Sequence, residues 1–213
     1  MADKYDAILD AALEAFSRRG YDGTGLREIA KIAKVAQPTI NYHFKSKEQL
    51  FSAVIQRGVK ATTITRVAKL ELLLGKGGVP ELEDIVRVLF EPYNSPEKEV
   101  PAHEAQFNKF VAQFGLGNEA YSLSVTFEAF DNMAVHFIDA ILLTDNGFDR
   151  LSAAKAYLYA LPVGMYAIAH KNRLPGLAGL SVSASEVQFS FDDVIFFICA
   201  GMRAIAAKRA ASA

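Results

Sequence analysis

Apolar residues along this 213-residue chain recur with the period of an α-helix, and no convincing strand-like alternation competes with that pattern. Tyr5, Ile8, Leu9, Ala12 and Phe16 fall on one face of a first predicted helix. Arg18, Arg19 and Gly20 then end it, because basic groups suit the negative end of a helix and Gly the left-handed position beyond it. Thr24 follows as an expected cap. Leu26, Ile29, Ala30 and Ala33 share one face of a short second helix, Val35 sits in a tight connection, and Ile40 and Phe44 repeat four apart in a third. Two short helices joined so tightly share one small apolar contact, so the second is free to turn its other side outward. That is the outline of a helix-turn-helix, which offers this side to a DNA major groove.

After this reader, Ser46-Lys47-Glu48-Gln49 has the S-x-x-Q form of a capping box and opens a helix containing Leu50, Phe51, Val54 and Ile55. It is expected to run to Leu73, where Gly75, Gly77, Gly78 and Pro80 break it. The GKGG run is not a phosphate-binding loop, since it lacks the spacing and no strand precedes it. Further helices are predicted over 81–92, 102–115, 119–144, 149–173 and 191–210. Pro92, Pro96 and Pro101 punctuate the first two, Asn146-Gly147 separates the third from the fourth, and Pro175-Gly176 opens a small-residue loop through Ser185. Ser190 and Asp193 suggest a capping box for the last helix.

The expected fold is therefore all-α, with a three-helix head over residues 1–48 and a larger helical domain over 49–213. A hydrophobic content of 51% is enough for a core in each. The net charge of −1 says nothing of nucleic acid, but residues 1–60 carry 10 Lys and Arg against 7 Asp and Glu, whereas 61–213 carry 13 against 17. The basic excess lies with the reader. A single cysteine, Cys199, excludes an intrachain disulfide and a cysteine-based metal cluster. With no signal-like start and no apolar run of transmembrane length, a cytoplasmic protein with no membrane partner is expected. No nucleophile elbow, H-E-x-x-H pair or dinucleotide loop occurs, so neither an enzyme, a cofactor nor a metal is expected.

The outward side of the third helix carries Gln37, Pro38, Asn41 and Tyr42, flanked by Thr39 and His43, whose amides, hydroxyls and ring nitrogens suit base edges and phosphates. The stretch ILDAALEAFSRRGYDGTGLREIAKIAKVAQPTINYHFKSKEQL, with Ile29-Ala30, Val35, Thr39, His43-Phe44 and Lys47-Glu48, resembles the N-terminal signature of the TetR-type transcriptional regulators. The resemblance implies a DNA-binding head in which Arg27, Gln37, Thr39 and Asn41 read bases, while Thr24, Tyr42, His43 and Lys47 hold the backbone and Pro38 lies in the same surface. Three positions depart from the family pattern: Gly25 for a second Thr, Lys34 for the turn Gly, and Ala36 for a capping Ser. A left-handed turn residue with a side chain costs roughly 1–2 kcal/mol. Ala36 has no side-chain acceptor, leaving Pro38 to fix the start of the reading helix.

The resemblance further implies a homodimer joined through the last two long helices as a four-helix bundle. Leu158, Leu161, Val163, Met165, Tyr166 and Ile168 on one, and Val194, Ile195, Phe196, Phe197, Ile198 and Met202 on the other, occupy more than one face of each helix. A helix buried within its own chain is the alternative. Between the linker helix and this pair, Tyr93, Phe107, Phe110, Phe127, Phe130, Met133, His136 and Phe137 recur at helical spacing. Most suit a core, but the family's middle helices usually surround a small-molecule cavity, so these residues, with Tyr166 and His170, are candidates to line one. The implied protein is a ligand-responsive repressor of a palindromic double-stranded DNA operator, with an unknown small-molecule effector. The rival is a helical small-molecule binding protein that has lost DNA binding.

Overall fold

A computed structural model describes residues 4–90, 106–107, 110–111, 120–180 and 189–210, with side chains for all of these except 120–127, 169, 209 and 210. Every regular element among the described residues is helical. They are α1 (Lys4–Arg19), α2 (Leu26–Ile32), α3 (Gln37–His43), α4 (Lys47–Leu74), α5 (Leu82–Phe90), α6 (Ala120–Leu142), α7 (Arg150–Ala169), a 3-10 turn (Lys171–Arg173), α8 (Leu174–Leu177) and α9 (Phe191–Ala210). Most of the helix expected over 102–115, together with Tyr93, Pro92, Pro96, Pro101 and Ser185, lies outside the described residues; 106–107 and 110–111 are helical. No helix of the described residues is long and apolar enough to cross a membrane.

The chain forms two compact units. One takes residues up to Ile64 with 98–131, and the other takes Thr65 to 97 with Asn132 onward. The division falls inside α4 and α6, so each helix contributes to both.

In the first unit α1 buries Ile8, Leu9, Ala12, Leu13 and Phe16, the face expected from its period. Gly20 at φ 71 closes it, its N–H donating to Phe16 O at 2.9 Å. Phe16, Tyr21 and Phe51 form a three-ring cluster, Phe51 meeting the other two edge-on at 5.2 and 5.0 Å. Such contacts add about 0.5–1.5 kcal/mol beyond the area they bury. Phe110 extends the cluster, its ring 6.1 Å from that of Phe51. Phe107 lies against Gly58 of α4, so closely that a Cβ there would meet its ring at 2.3 Å. Arg57 ties α4 to α1 by donating to Asp10 Oδ1 at 2.6 Å.

The start of α4 partly matches its predicted box. Ser46 Oγ accepts from Gln49 N at 3.3 Å, but Gln49 Oε1 accepts from Lys45 N, at 3.1 Å, one residue before the cap. The helix then runs 28 residues to a glycine break, with Gly77 and Gly78 both at positive φ.

In the second unit α5 buries Leu82, Ile85, Val86, Leu89 and Phe90. α7 turns Ala153, Ala156, Tyr157 and Ala160 inward, and α9 turns Ile195, Ile198, Cys199, Met202 and Ala206 inward. Three alanines at helical spacing keep the α7 side thin, which lets α9 pack close. Gly164 admits Phe90, whose ring lies 2.4 Å from where a Cβ would stand. Arg203 of α9 donates two parallel hydrogen bonds to Glu83 of α5, at 2.6 and 2.7 Å, and a third to Asn146 Oδ1 at 3.0 Å in the α6–α7 connection. Burial pushes the Cys199 thiol up to about 12. It is a packed thiol, not a nucleophile.

Two expectations change here. The helix predicted over 149–173 ends at Ala169, and after the 3-10 turn the stretch predicted as loop begins with the short α8, with Pro175 at its start. α7 also opens with a capping box that the sequence reading passed over: Asp149 Oδ1 accepts from Ser152 N at 2.8 Å, and Asp149 N donates to Ser152 Oγ at 2.9 Å.

Candidate nucleic-acid interface

α2 and α3 meet through Ile29, Ala30, Ile40 and Phe44, all buried. Between them Val35 N donates to Ala30 O at 3.0 Å, and Lys34 takes φ 54. Among the described residues Lys34 is alone as a non-glycine at positive φ, so the turn keeps its left-handed geometry despite carrying a side chain. Ala36 is the N-cap of α3 at φ −72 and ψ 142 and makes no side-chain cap, as its methyl group requires, while Pro38 supplies the fixed backbone of the first turn.

With Ile40 and Phe44 turned in, the other side of α3 stands clear. Pro38 and Asn41 are exposed, Gln37, Thr39 and His43 half-buried, and Tyr42 is 85% exposed. Arg27 is exposed on α2. These residues form one polar surface with two aromatic rings at its end, where Tyr42 and His43 meet edge to face at 5.2 Å.

Lys47 belongs to the adjoining start of α4, its Nζ held 4.2 Å over the Tyr21 ring. Next to it, the backbone N–H of Glu48 and then Ser46 and Tyr21 hold the Glu48 carboxyl below the usual carboxylate range.

Thr24 departs from its expected role as a cap. Gly25 is the N-cap of α2, with no side-chain cap, and Thr24 is only 2% exposed. Its hydroxyl donates to Gly20 O at 2.8 Å, with Ala15 O at 3.2 Å. The reason is local: the left-handed Gly20 leaves the last carbonyls of α1 facing the loop, and Thr24 is the first hydroxyl to reach them.

The candidate ligand residues fall in both units. Phe107 and Phe110 are fully packed in the first, and Phe130 is half-buried on its part of α6. Phe127 lies on α6 without a described side chain. In the second unit Met133 and Phe137 are buried, with the Phe137 ring 6.4 Å from that of Tyr157. His136 is half-buried and its Nδ1 donates to Asn132 O at 2.8 Å, one turn back along its own helix. Tyr166 and His170 stack at 4.1 Å, and Arg173 donates to the Tyr166 hydroxyl at 2.7 Å.

The α7 and α9 surfaces show which of the candidate interface residues are free. Ile195, Ile198 and Met202 serve the core, whereas Phe196 and Phe197 are 72% and 67% exposed. On α7, Leu151, Leu158, Tyr159, Val163 and Tyr166 form a continuous exposed stripe.

Comparison with known proteins places the head. Residues 8–54 match the family model described as bacterial regulatory proteins, tetR family. The chain is similar to the HTH-type transcriptional regulator RutR of Escherichia coli (strain K12), 46% identical over 54 residues, 25% of this chain and 26% of that protein. It is also similar to the biofilm operon icaADBC HTH-type negative transcriptional regulator IcaR of Staphylococcus aureus (strain Newman), 39% identical over 51 residues, 24% of this chain and 27% of that protein. The match thus spans about a quarter of the length of these curated relatives. A crystal structure of a TetR-family transcriptional regulator from Mesorhizobium loti MAFF303099 aligns with a TM-score of 0.60 at 19% identity, covering 97% of this chain and 96% of that one, which extends the likeness of fold to both units. By residues 8–54, which include all of α2, α3 and the turn between them, the chain belongs to the tetR family of bacterial regulatory proteins.

Proposed function

We propose that the protein is a homodimeric, sequence-specific DNA-binding regulator, a cytoplasmic repressor of a palindromic operator that a small, largely apolar ligand releases. The observation that carries the DNA part is the polar outer side of α3, set clear of the fold by the burial of Ile40 and Phe44 beneath it. Arg27, Gln37, Thr39 and Asn41 read base edges, and Tyr42, His43 and Lys47 hold phosphates. Thr24 would have to release Gly20 O to join them.

Dimerisation through α7 and α9 accounts for the exposed apolar stripe. On α9, Ala200, Gly201 and Ala204 lie exposed beside Phe196 and Phe197, and nothing stands within 4 Å of a Cβ placed on Gly201. Small residues next to two rings give a self-complementary surface, in which one protomer's rings fill the other's hollow. A two-fold pair of readers then requires a two-fold operator. IcaR, named as a negative regulator, supports the sign of the regulation.

Selection from random duplexes tests the reading. An enriched palindrome, with affinity falling steeply as salt rises, is expected. Failure to enrich any duplex refutes it and leaves the helical ligand carrier. Phe197→Glu separates interface from core: a folded monomer in sedimentation is expected, and a folded dimer overturns this choice of face. Ligand release is tested by reciprocity, since a ligand that weakens operator binding must itself be weakened by operator to the same degree. Met133→Trp is expected to blunt that response more than it affects DNA binding.

A further inference from the structure

We infer that Tyr5, in the first turn of α1, is a positioning residue for the DNA contact made by His43, acting as one wall of an aromatic seat that fixes the imidazole at the end of the reading helix. This rests on the proposal that α3 binds DNA. The period of α1 assigns Tyr5 to the buried face with Ile8, Leu9, Ala12 and Phe16. In the structure it does something else. It is 36% exposed, and its ring reaches past the core to stack on Phe44 at 5.1 Å and 28°, and to meet His43 edge-on at 5.8 Å and 73°.

His43 is therefore held between two tyrosines. Tyr42 presents an edge-to-face contact at 5.2 Å and 82°, and Tyr5 presents another from a different helix. The two contacts differ in what they fix. Tyr42 is the neighbouring residue on α3 and is 85% exposed, so it moves with the helix and settles nothing about where the helix end lies. Tyr5 belongs to α1, which is anchored by its buried Ile8, Leu9 and Phe16. It alone of the pair ties the imidazole to the body of the head.

The seat matters because α3 is only 7 residues long, has no side-chain cap at its start, and ends at His43. A short helix held by one buried residue of its own, Ile40, with Phe44 just beyond it, has little else to define its last turn. A phosphate contact depends on a side chain's being in place before DNA arrives, since each freely rotating group must be ordered on binding. Tyr5 removes that requirement for His43.

The test combines duplex binding with a measurement that needs no DNA. Tyr5→Leu is expected to weaken binding to all duplexes about 2- to 10-fold without changing sequence preference, the range that one aromatic contact supports. Tyr5→Phe, which keeps the ring, is expected to restore it. In a His43→Ala background Tyr5→Leu is expected to cost nothing further, whereas general loosening of the head would cost the same with or without His43. In the free protein, Tyr5→Leu is expected to shift the His43 ring protons in the NMR spectrum as the ring current of Tyr5 is lost. Additive losses in the double variant, or a Phe variant as weak as the Leu variant, overturn the inference. If the unmodified protein binds no duplex, the DNA reading fails, and the ring-proton shift still reports whether the seat exists.

Discussion

Replacing Lys34 by Gly is expected to stabilise the head. Lys34 takes φ 54 in the turn between α2 and α3, where a Cβ costs about 1–2 kcal/mol. Gly removes that cost but adds freedom to the unfolded chain, returning roughly 0.5–1 kcal/mol of it. The side chain of Lys34 is exposed, so no packing is lost with it. The net gain is about 0.5–1 kcal/mol, which at a urea slope near 2 kcal/mol/M raises the midpoint by about 0.3–0.5 M. Amide exchange at Ile29 and Ile40, the buried pair on either side of the turn, reads the same gain locally. Lys34→Ala serves as the control, because it discards the charge and keeps the Cβ. Lys34→Asn is expected to fall between Ala and Gly, since Asn tolerates the left-handed region. If Lys34→Ala gains as much as Lys34→Gly, the cause is charge and the backbone argument is refuted.

Gly58→Ala improves helix propensity by about 1 kcal/mol, but its Cβ would meet the Phe107 ring at 2.3 Å, so a net loss of stability is expected and Phe107→Leu in the same chain is expected to recover it. Thermal unfolding of the three variants checks this. The two hydrogen bonds from Arg203 hold the Glu83 carboxyl below its usual range against the opposing effect of burial. A lowered folded value contributes stability above the unfolded value of about 4.3 and loses it as pH falls through the folded one. Glu83→Gln is therefore expected to lower stability by up to about 1 kcal/mol at pH 7, a magnitude limited by partial exposure, and to converge with the unmodified protein in denaturation at acid pH. Lys47→Ala is expected to weaken all duplexes alike and reduce the salt slope by about 1, whereas Gln37→Ala relaxes preference at one position of each half-site. A change of sequence preference on Lys47→Ala would contradict the division between phosphate and base contacts.

The helix-turn-helix was legible because its information is local. Ile29, Ala30, Ile40 and Phe44 are spaced so that only one pairing buries them all, and Gly20 marks the end of α1 whatever lies elsewhere. What failed to show was the choice among local partners. Thr24 stands where a cap would stand, yet nearby carbonyls of α1 took its hydroxyl; Gln49 stands where it should close a box on Ser46, yet its oxygen accepts from Lys45. Each depends on loop angles that residue types do not specify. The D-x-x-S of Asp149 and Ser152 was a readable signal, overlooked because the box is more familiar with Ser or Thr first. On α9 the sequence offers Ile195, Phe196, Phe197 and Ile198 without a break, so periodicity has no phase there, and contact with α7 decides that the two rings face out.

Pro162 lies inside α7, four residues after Leu158, and has no N–H to give to the Leu158 carbonyl. Both residues are on the exposed stripe, so this apolar face has an acceptor set into its middle that the helix itself cannot satisfy from residue 162. In water the solvent fills that role. A partner that closes over the stripe must either bring a donor to the same spot or trap a water molecule there, because a dry carbonyl costs about 1–3 kcal/mol. Hydration at one backbone oxygen thus becomes a selection rule for pairing: a surface that matches the rings and hollows of α7 and α9 but buries only hydrocarbon over Leu158 is penalised, whichever protein offers it.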